Sequence, residues 1–153
     1  MPNKVLQKEC EKGLPHPLYY IWSEEGCFLE EALSKFPEIV IASGPKDFNY
    51  DMFDSSSNAQ EIVDAASTLP VMAPRRLVVL KDFHQLTAPA LQVLTPYLSD
   101  PSATTCMVIL SQKAPKASLK FNWNVIGLNI KEWDIPAWLK NAAAGKGVRL
   151  TNE

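Results

Sequence analysis

Short apolar runs alternate with helical stripes along this chain, and that alternation limits the possible folds more than any other feature. Leu18–Trp22 and the runs at residues 38–42, 77–80 and 106–110 are rich in β-branched, aromatic or other large apolar residues, and polar or turn-forming residues bound each one. Such runs fit strands covered on both faces, as in a parallel sheet. A weaker fifth run covers residues 125–130. Between them, Phe28, Leu29, Ala32, Leu33 and Phe36 recur at three- and four-residue intervals, as do Ile62, Ala65, Ala66 and Leu69 after a Ser/Asn-rich start suited to capping a helix. Leu91, Leu94 and Leu98 form a third stripe, opened by Thr87 and closed before Pro101. A fourth runs from Ile135 through Trp138, Leu139 and Ala142 to Gly145. All four stripes read as core faces. Strands alternating with helices predict right-handed βαβ crossovers. The expected fold class is α/β, a three-layer α/β/α sandwich around a mostly parallel five-stranded sheet.

A chain of 153 residues with 46% hydrophobic and 21% charged residues is the size of one domain and can bury a core. Its formal net charge of -2 argues against wrapping nucleic acid, which calls for a basic surplus. Lys140, Lys146 and Arg149 form a local basic group near the C-terminus, open to either DNA contact or a role as a solvated helix end. Cys10, Cys27 and Cys106 are widely separated and contain no CxxC pair, so neither a zinc site nor a redox dithiol is expected. Residues 1–13 lack the apolar core of a signal peptide, and no apolar stretch is long enough to span a membrane. The expectation is a cytoplasmic protein with no membrane contact.

A parallel α/β sheet invites a phosphate site at its first strand-to-helix turn. Here that turn reads Ser23-Glu24-Glu25-Gly26-Cys27-Phe28, with one glycine, no lysine and two carboxylates that would repel a polyphosphate. After the run at 77–80 come Lys81 and Asp82, and Asp82 reads as a solvated loop acid rather than a magnesium ligand. His16, between Pro15 and Pro17, reads as part of an exposed turn, and His84 as lining a loop. No catalytic motif, cofactor site or metal site is expected, and the chain by itself reads as a non-enzyme.

One segment stands out, Thr68-Leu69-Pro70-Val71-Met72-Ala73-Pro74-Arg75-Arg76. Pro70 restricts the preceding helix end and presets a stiff turn. Val71 and Met72 are consecutive, so a regular helix cannot hide both on one narrow stripe. In an exposed loop they make an apolar wedge, and a stiff wedge loses little entropy on docking. The competing reading folds both back over the sheet edge and leaves Arg75 and Arg76 as ordinary surface charges.

The order of these features resembles the delta subunit of the bacterial DNA polymerase III clamp loader. The resemblance rests on Leu18–Trp22, Glu24-Glu25-Gly26, Phe28-Leu29-Glu30-Glu31-Ala32-Leu33, and Thr68-Leu69-Pro70 followed by Arg75-Arg76-Leu77-Val78-Val79. The 106–111 strand and the Trp138-Leu139 helix with trailing Gly147 also fall in place. It implies an AAA+-like domain, a P-loop fold without a P-loop, that binds the ring-shaped sliding clamp (the beta subunit) and helps open it for loading onto primed DNA. Matched by position, the clamp-binding wedge is Val71 and Met72, with Leu69 and Pro70 shaping its base. Family members often carry bulkier or aromatic residues at the two wedge positions. The resemblance further implies a clamp-binding domain at residues 1–145 and the start of a helical lid at 146–153. Contact with the other loader subunits would then run through a C-terminal domain outside this sequence, with DNA met only in the full complex. Two alternatives stay open: a nucleotide-dependent enzyme with an atypical phosphate loop at 23–28, and a generic α/β interaction domain outside replication.

Overall fold

The computed structural model describes residues 4–128. Helix α1 (Lys4–Glu11) precedes strand β1 (Leu18–Trp22), followed by α2 (Gly26–Leu33), α3 (Phe36–Val40) and the single turn α4 (Lys46–Asn49). Then come β2 (Tyr50–Phe53), α5 (Ala59–Ser67), β3 (Arg76–Leu80), a 3-10 turn at Phe83–Gln85, α6 (Ala88–Ser99), β4 (Thr105–Ser111) and β5 (Asn124–Gly127). The five strands form one sheet in the order β2-β3-β4-β1-β5, and every neighbouring pair is parallel.

Side chains alternate along the strands and so divide the core in two. Tyr19, Ile21, Leu77, Val79, Cys106 and Val108 pack toward α1, α2 and α3, burying Leu6, Leu29, Leu33, Phe36 and Val40. Leu18, Tyr20, Val78, Leu80, Met107 and Ile109 pack toward α5 and α6, burying Ile62, Ala66, Leu94 and Leu98. Both faces are covered, so the three-layer α/β/α architecture is as expected, with a described sheet that is wholly parallel. The caps follow the sequence: Asn58 Oδ1 accepts from the backbone N–H groups of Gln60 and Glu61, and Thr87 Oγ1 accepts from Ala90 N–H.

Two elements differ from expectation. Residues 38–42 are not a strand, because Phe36–Val40 forms α3. Pro37 sits in its first turn, where its fixed φ favours a helix, and the helical spacing sends both Phe36 and Val40 into the core. The missing strand is β2, whose acidic Asp51 and exposed Met52 break the apolar pattern, as an edge strand tolerates. Strand β5 covers Asn124–Gly127, and residues 129–130 of the predicted run lie outside the described residues. Helix α1 had no counterpart in the sequence reading. The predicted helix at 135–145, the basic group Lys140, Lys146 and Arg149, and the boundary at 145/146 lie outside the described residues.

Because all five strands run the same way, the sheet has two distinct ends. The turns after β1, β3 and β4 share the carboxyl end. The loops entering β1, β2 and β3 share the amino end.

Candidate protein-docking site

The carboxyl end is where a parallel α/β sheet ordinarily binds phosphate-bearing ligands. After β1, Ser23 Oγ accepts from Glu25 N–H at 3.0 Å, and Ser23 N–H donates to Ser111 O at 3.0 Å, so the turn is folded on its own hydroxyl. Glu25, in extended conformation, occupies the position before α2, where an anion would meet the helix start. Lys81 Nζ pairs with Glu30 Oε2 at 3.1 Å, so a lysine at the tip of β3 is already engaged by a carboxylate of α2. His84 Nδ1 accepts from Gln112 N–H at 3.3 Å and lies 3.4 Å from Ser111 Oγ, tying the 3-10 turn to the end of β4. These are loop-fixing contacts, and the residues do not fit a polyphosphate. Among the described residues no cluster of three or more His, Cys, Asp or Glu side chains is placed to hold a metal ion. Nor is any described helix long and apolar enough to cross a membrane.

The amino end is built differently. Thr68 Oγ1 donates to Asp64 O at 2.7 Å and Thr68 itself turns extended, closing α5. The following residues leave the helix surface. Leu69 is 70% exposed, Val71 43% and Met72 87%, with Pro70 half-buried between Leu69 and Val71. Neither Val71 nor Met72 is folded beneath the sheet.

The loop is nevertheless held tightly. Asn49, at the end of α4, is fully buried. Its Oδ1 accepts from Val71 N–H at 2.7 Å, while its Nδ2 donates to Val71 O at 2.8 Å and to Pro45 O at 2.6 Å. Met72 then takes a left-handed backbone conformation, φ 54°, which a non-glycine residue adopts at a cost of roughly 1–3 kcal/mol unless its surroundings compel it. Beyond it the chain runs against Gly44. A Cβ at that position would lie 2.5 Å from Ala73 Cβ and 2.7 Å from Met72 O, so only glycine fits there.

Arg75 and Arg76 are not ordinary surface charges. Arg75 donates through Nη1 to Leu14 O and through Nη2 to Gly13 O, both at 2.7 Å, joining the loop before β3 to the turn before β1. Arg76 is 7% exposed; it donates to Phe48 O at 2.7 Å and pairs with the Asp51 carboxylate. Each arginine thus braces the base of the loop. Burial pushes the thiol of Cys106 up to about 12, with Arg75 acting weakly the other way.

The structure therefore brings together the four residues singled out in the sequence, Leu69, Pro70, Val71 and Met72, on one braced loop. The sequence reading missed Asn49, Gly44 and the exposed Phe48 of α4. A Gly-Pro pair at 44–45 marks a turn, but no local pattern links Asn49 to a loop so distant in sequence.

The family model described as DNA polymerase III, delta subunit, matches residues 19–128. The DNA polymerase III subunit delta of Bacillus subtilis is 32% identical over 114 residues, covering 68% of this chain but 33% of that protein. Among solved structures, the Bacillus subtilis DNA clamp loader delta protein superposes with a TM-score of 0.69 at 27% identity, over 84% of this chain and 43% of that one. A gamma subunit-related protein of DNA polymerase III from Thermotoga maritima gives 0.70 at 16% identity, over 92% and 49%. A RuvB mutant from the same organism gives 0.55 at 12%, over 94% and 49%. The last two likenesses concern the fold alone, which is AAA+-like. The chain spans about a third of the length of its curated relative.

Proposed function

The chain belongs to the DNA polymerase III delta-subunit family, and from that premise we propose that it docks onto the sliding clamp through Val71 and Met72, with Leu69 and Pro70 forming the base of the contact. The exposure of Met72 at the crest of a braced, strained loop is the observation that carries this reading. An apolar side chain held in water gains by entering a hydrophobic pocket, by roughly 1.5–3 kcal/mol for full burial of a methionine. The half-covered Val71 adds less. Such a loop has little freedom left to lose on docking, so more of that gain survives as affinity. Contacts around the wedge then stabilise an opened interface in the ring, which allows loading onto primed DNA.

In this reading the domain does no chemistry of its own. Glu25 at the start of α2 and the Lys81–Glu30 pair support that view, since both work against a bound nucleotide. Residues 1–145 would form the clamp-binding domain and 146–153 would begin the helical lid. Contacts with other loader subunits would run through a C-terminal domain outside this sequence, and the protein would act in the cytoplasm. The direct test is clamp binding by the Val71→Ala/Met72→Ala double variant. Affinity should fall by at least about tenfold while the fold is retained. Unchanged affinity in a folded double variant would remove the wedge.

A further inference from the structure

We infer that Asn49 is the positioning residue of this docking loop, fixing the Val71 peptide groups so that Met72 is presented before a partner arrives. The inference rests on the clamp-docking reading and adds to it the device that shapes the site. Loop 70–74 carries prolines at both ends and forms no strand ladder, so its conformation must be set from outside. A single fully buried amide binds both the N–H and the C=O of Val71, much as a neighbouring strand would. Its second N–H goes to Pro45 O, so the same group is anchored in the turn that opens α4. Helix α4 itself is tied to the sheet, because Arg76 at the start of β3 donates to Phe48 O. Met72 follows Val71 directly and holds a left-handed φ of 54°. Strained conformations of this kind persist where neighbours over-determine them. Asn49 constrains the loop on one side of Met72, and Gly44 against Ala73 constrains it on the other.

If the loop samples other conformations once the amide is removed, affinity falls by the fraction of time spent in the competent one. Asn49→Ala in the full chain should therefore weaken binding to the sliding clamp by about tenfold, though Asn49 itself is fully buried. The same substitution placed in the Val71→Ala/Met72→Ala background should have no further effect on clamp affinity. A residue acting through general stability would keep its effect there. Equal loss in both backgrounds, or unchanged affinity in folded Asn49→Ala, overturns the inference. Should Asn49→Ala not fold, amide hydrogen exchange of the unaltered chain decides: Val71 N–H is expected to exchange as slowly as the amides of β3, and fast exchange overturns the positioning role. Clamp affinity unchanged by Val71→Ala/Met72→Ala alone would instead defeat the docking reading, leaving the exchange result to judge Asn49 by itself.

Discussion

At the carboxyl end of the sheet, backbone and side-chain groups are spent on holding turns closed, and Lys81 at the tip of β3 is paired with Glu30. At the amino end, buried and half-buried polar groups do the opposite. Asn49, Arg75 and Arg76 are turned inward so that an apolar loop can be turned outward. Both ends belong to one fold whose ligands ordinarily gather at the carboxyl end. The two ends are thus fixed by different bonds, turn-closing contacts at the carboxyl end and inward-turned side chains holding an exposed apolar loop at the amino end. Rigidity at the amino end comes from long-range side-chain bonds to carbonyls, not from the helix and strand ladders.

The sharpest way to break this contrast is to cut a brace. Arg76→Ala leaves the Asp51 carboxylate and Phe48 O without their cation and should cost about 3 kcal/mol of stability, measured by denaturant unfolding. Gly44→Ala forces a Cβ into Ala73 and the Met72 carbonyl, and should cost about 1–3 kcal/mol while also lowering clamp affinity. Met72→Gly separates the two roles of that residue. It relieves the left-handed strain, so stability should hold within about 0.5 kcal/mol or rise slightly, yet clamp binding should weaken.

Raising the pH probes the buried floor beneath the amino end. The Cys106 thiol is pushed up to about 12 from an ordinary 9.0 because burial disfavours the thiolate. A group whose value is raised in the folded state contributes fully below its unfolded value and loses that contribution as the pH climbs. Thermal stability should therefore decline between about pH 9 and 12, and Cys106→Ala should flatten part of that decline. Thiol reagents should reach exposed Cys27 in the native state and Cys106 only on unfolding. The smallest effect belongs to the carboxyl end. Lys81→Ala should change stability by about 0.5 kcal/mol or less, since its pair with Glu30 is solvent-exposed, and magnesium-ATP should give no binding heat in calorimetry.

The fold was legible wherever a strand is buried on both faces. Leu18–Trp22 and the cores of β3 and β4 are continuous apolar runs for that reason. Residues 38–42 looked the same as an apolar run, and what distinguishes that helix from a strand is Pro37 in its first turn together with the burial of both Phe36 and Val40. Strand β2 was illegible because an edge position relaxes the pattern. At the candidate site, the prolines predicted a stiff turn, while the consecutive apolar pair fitted either an exposed wedge or a loop folded back over the sheet edge, and the residues alone left both readings open. The source of its stiffness was not legible. Asn49 bonds to Val71, and Arg75 to Gly13 and Leu14, across separations that no local periodicity records.

The strand order has a consequence for how this protein is made. β1 leaves the ribosome before every other described strand, yet its only described partners are β4 and β5: Leu18 lies beside Met107, and Tyr19 beside Asn124. Until those late segments emerge, β1 is an apolar ribbon with both edges open, while β2 and β3 can pair as soon as residue 80 is out. The nascent chain therefore carries its most exposed strand for the longest time. A stall in synthesis before residue 105 would leave the centre of the sheet unbuilt, with the side that bears the exposed loop at residues 69–74 already half assembled.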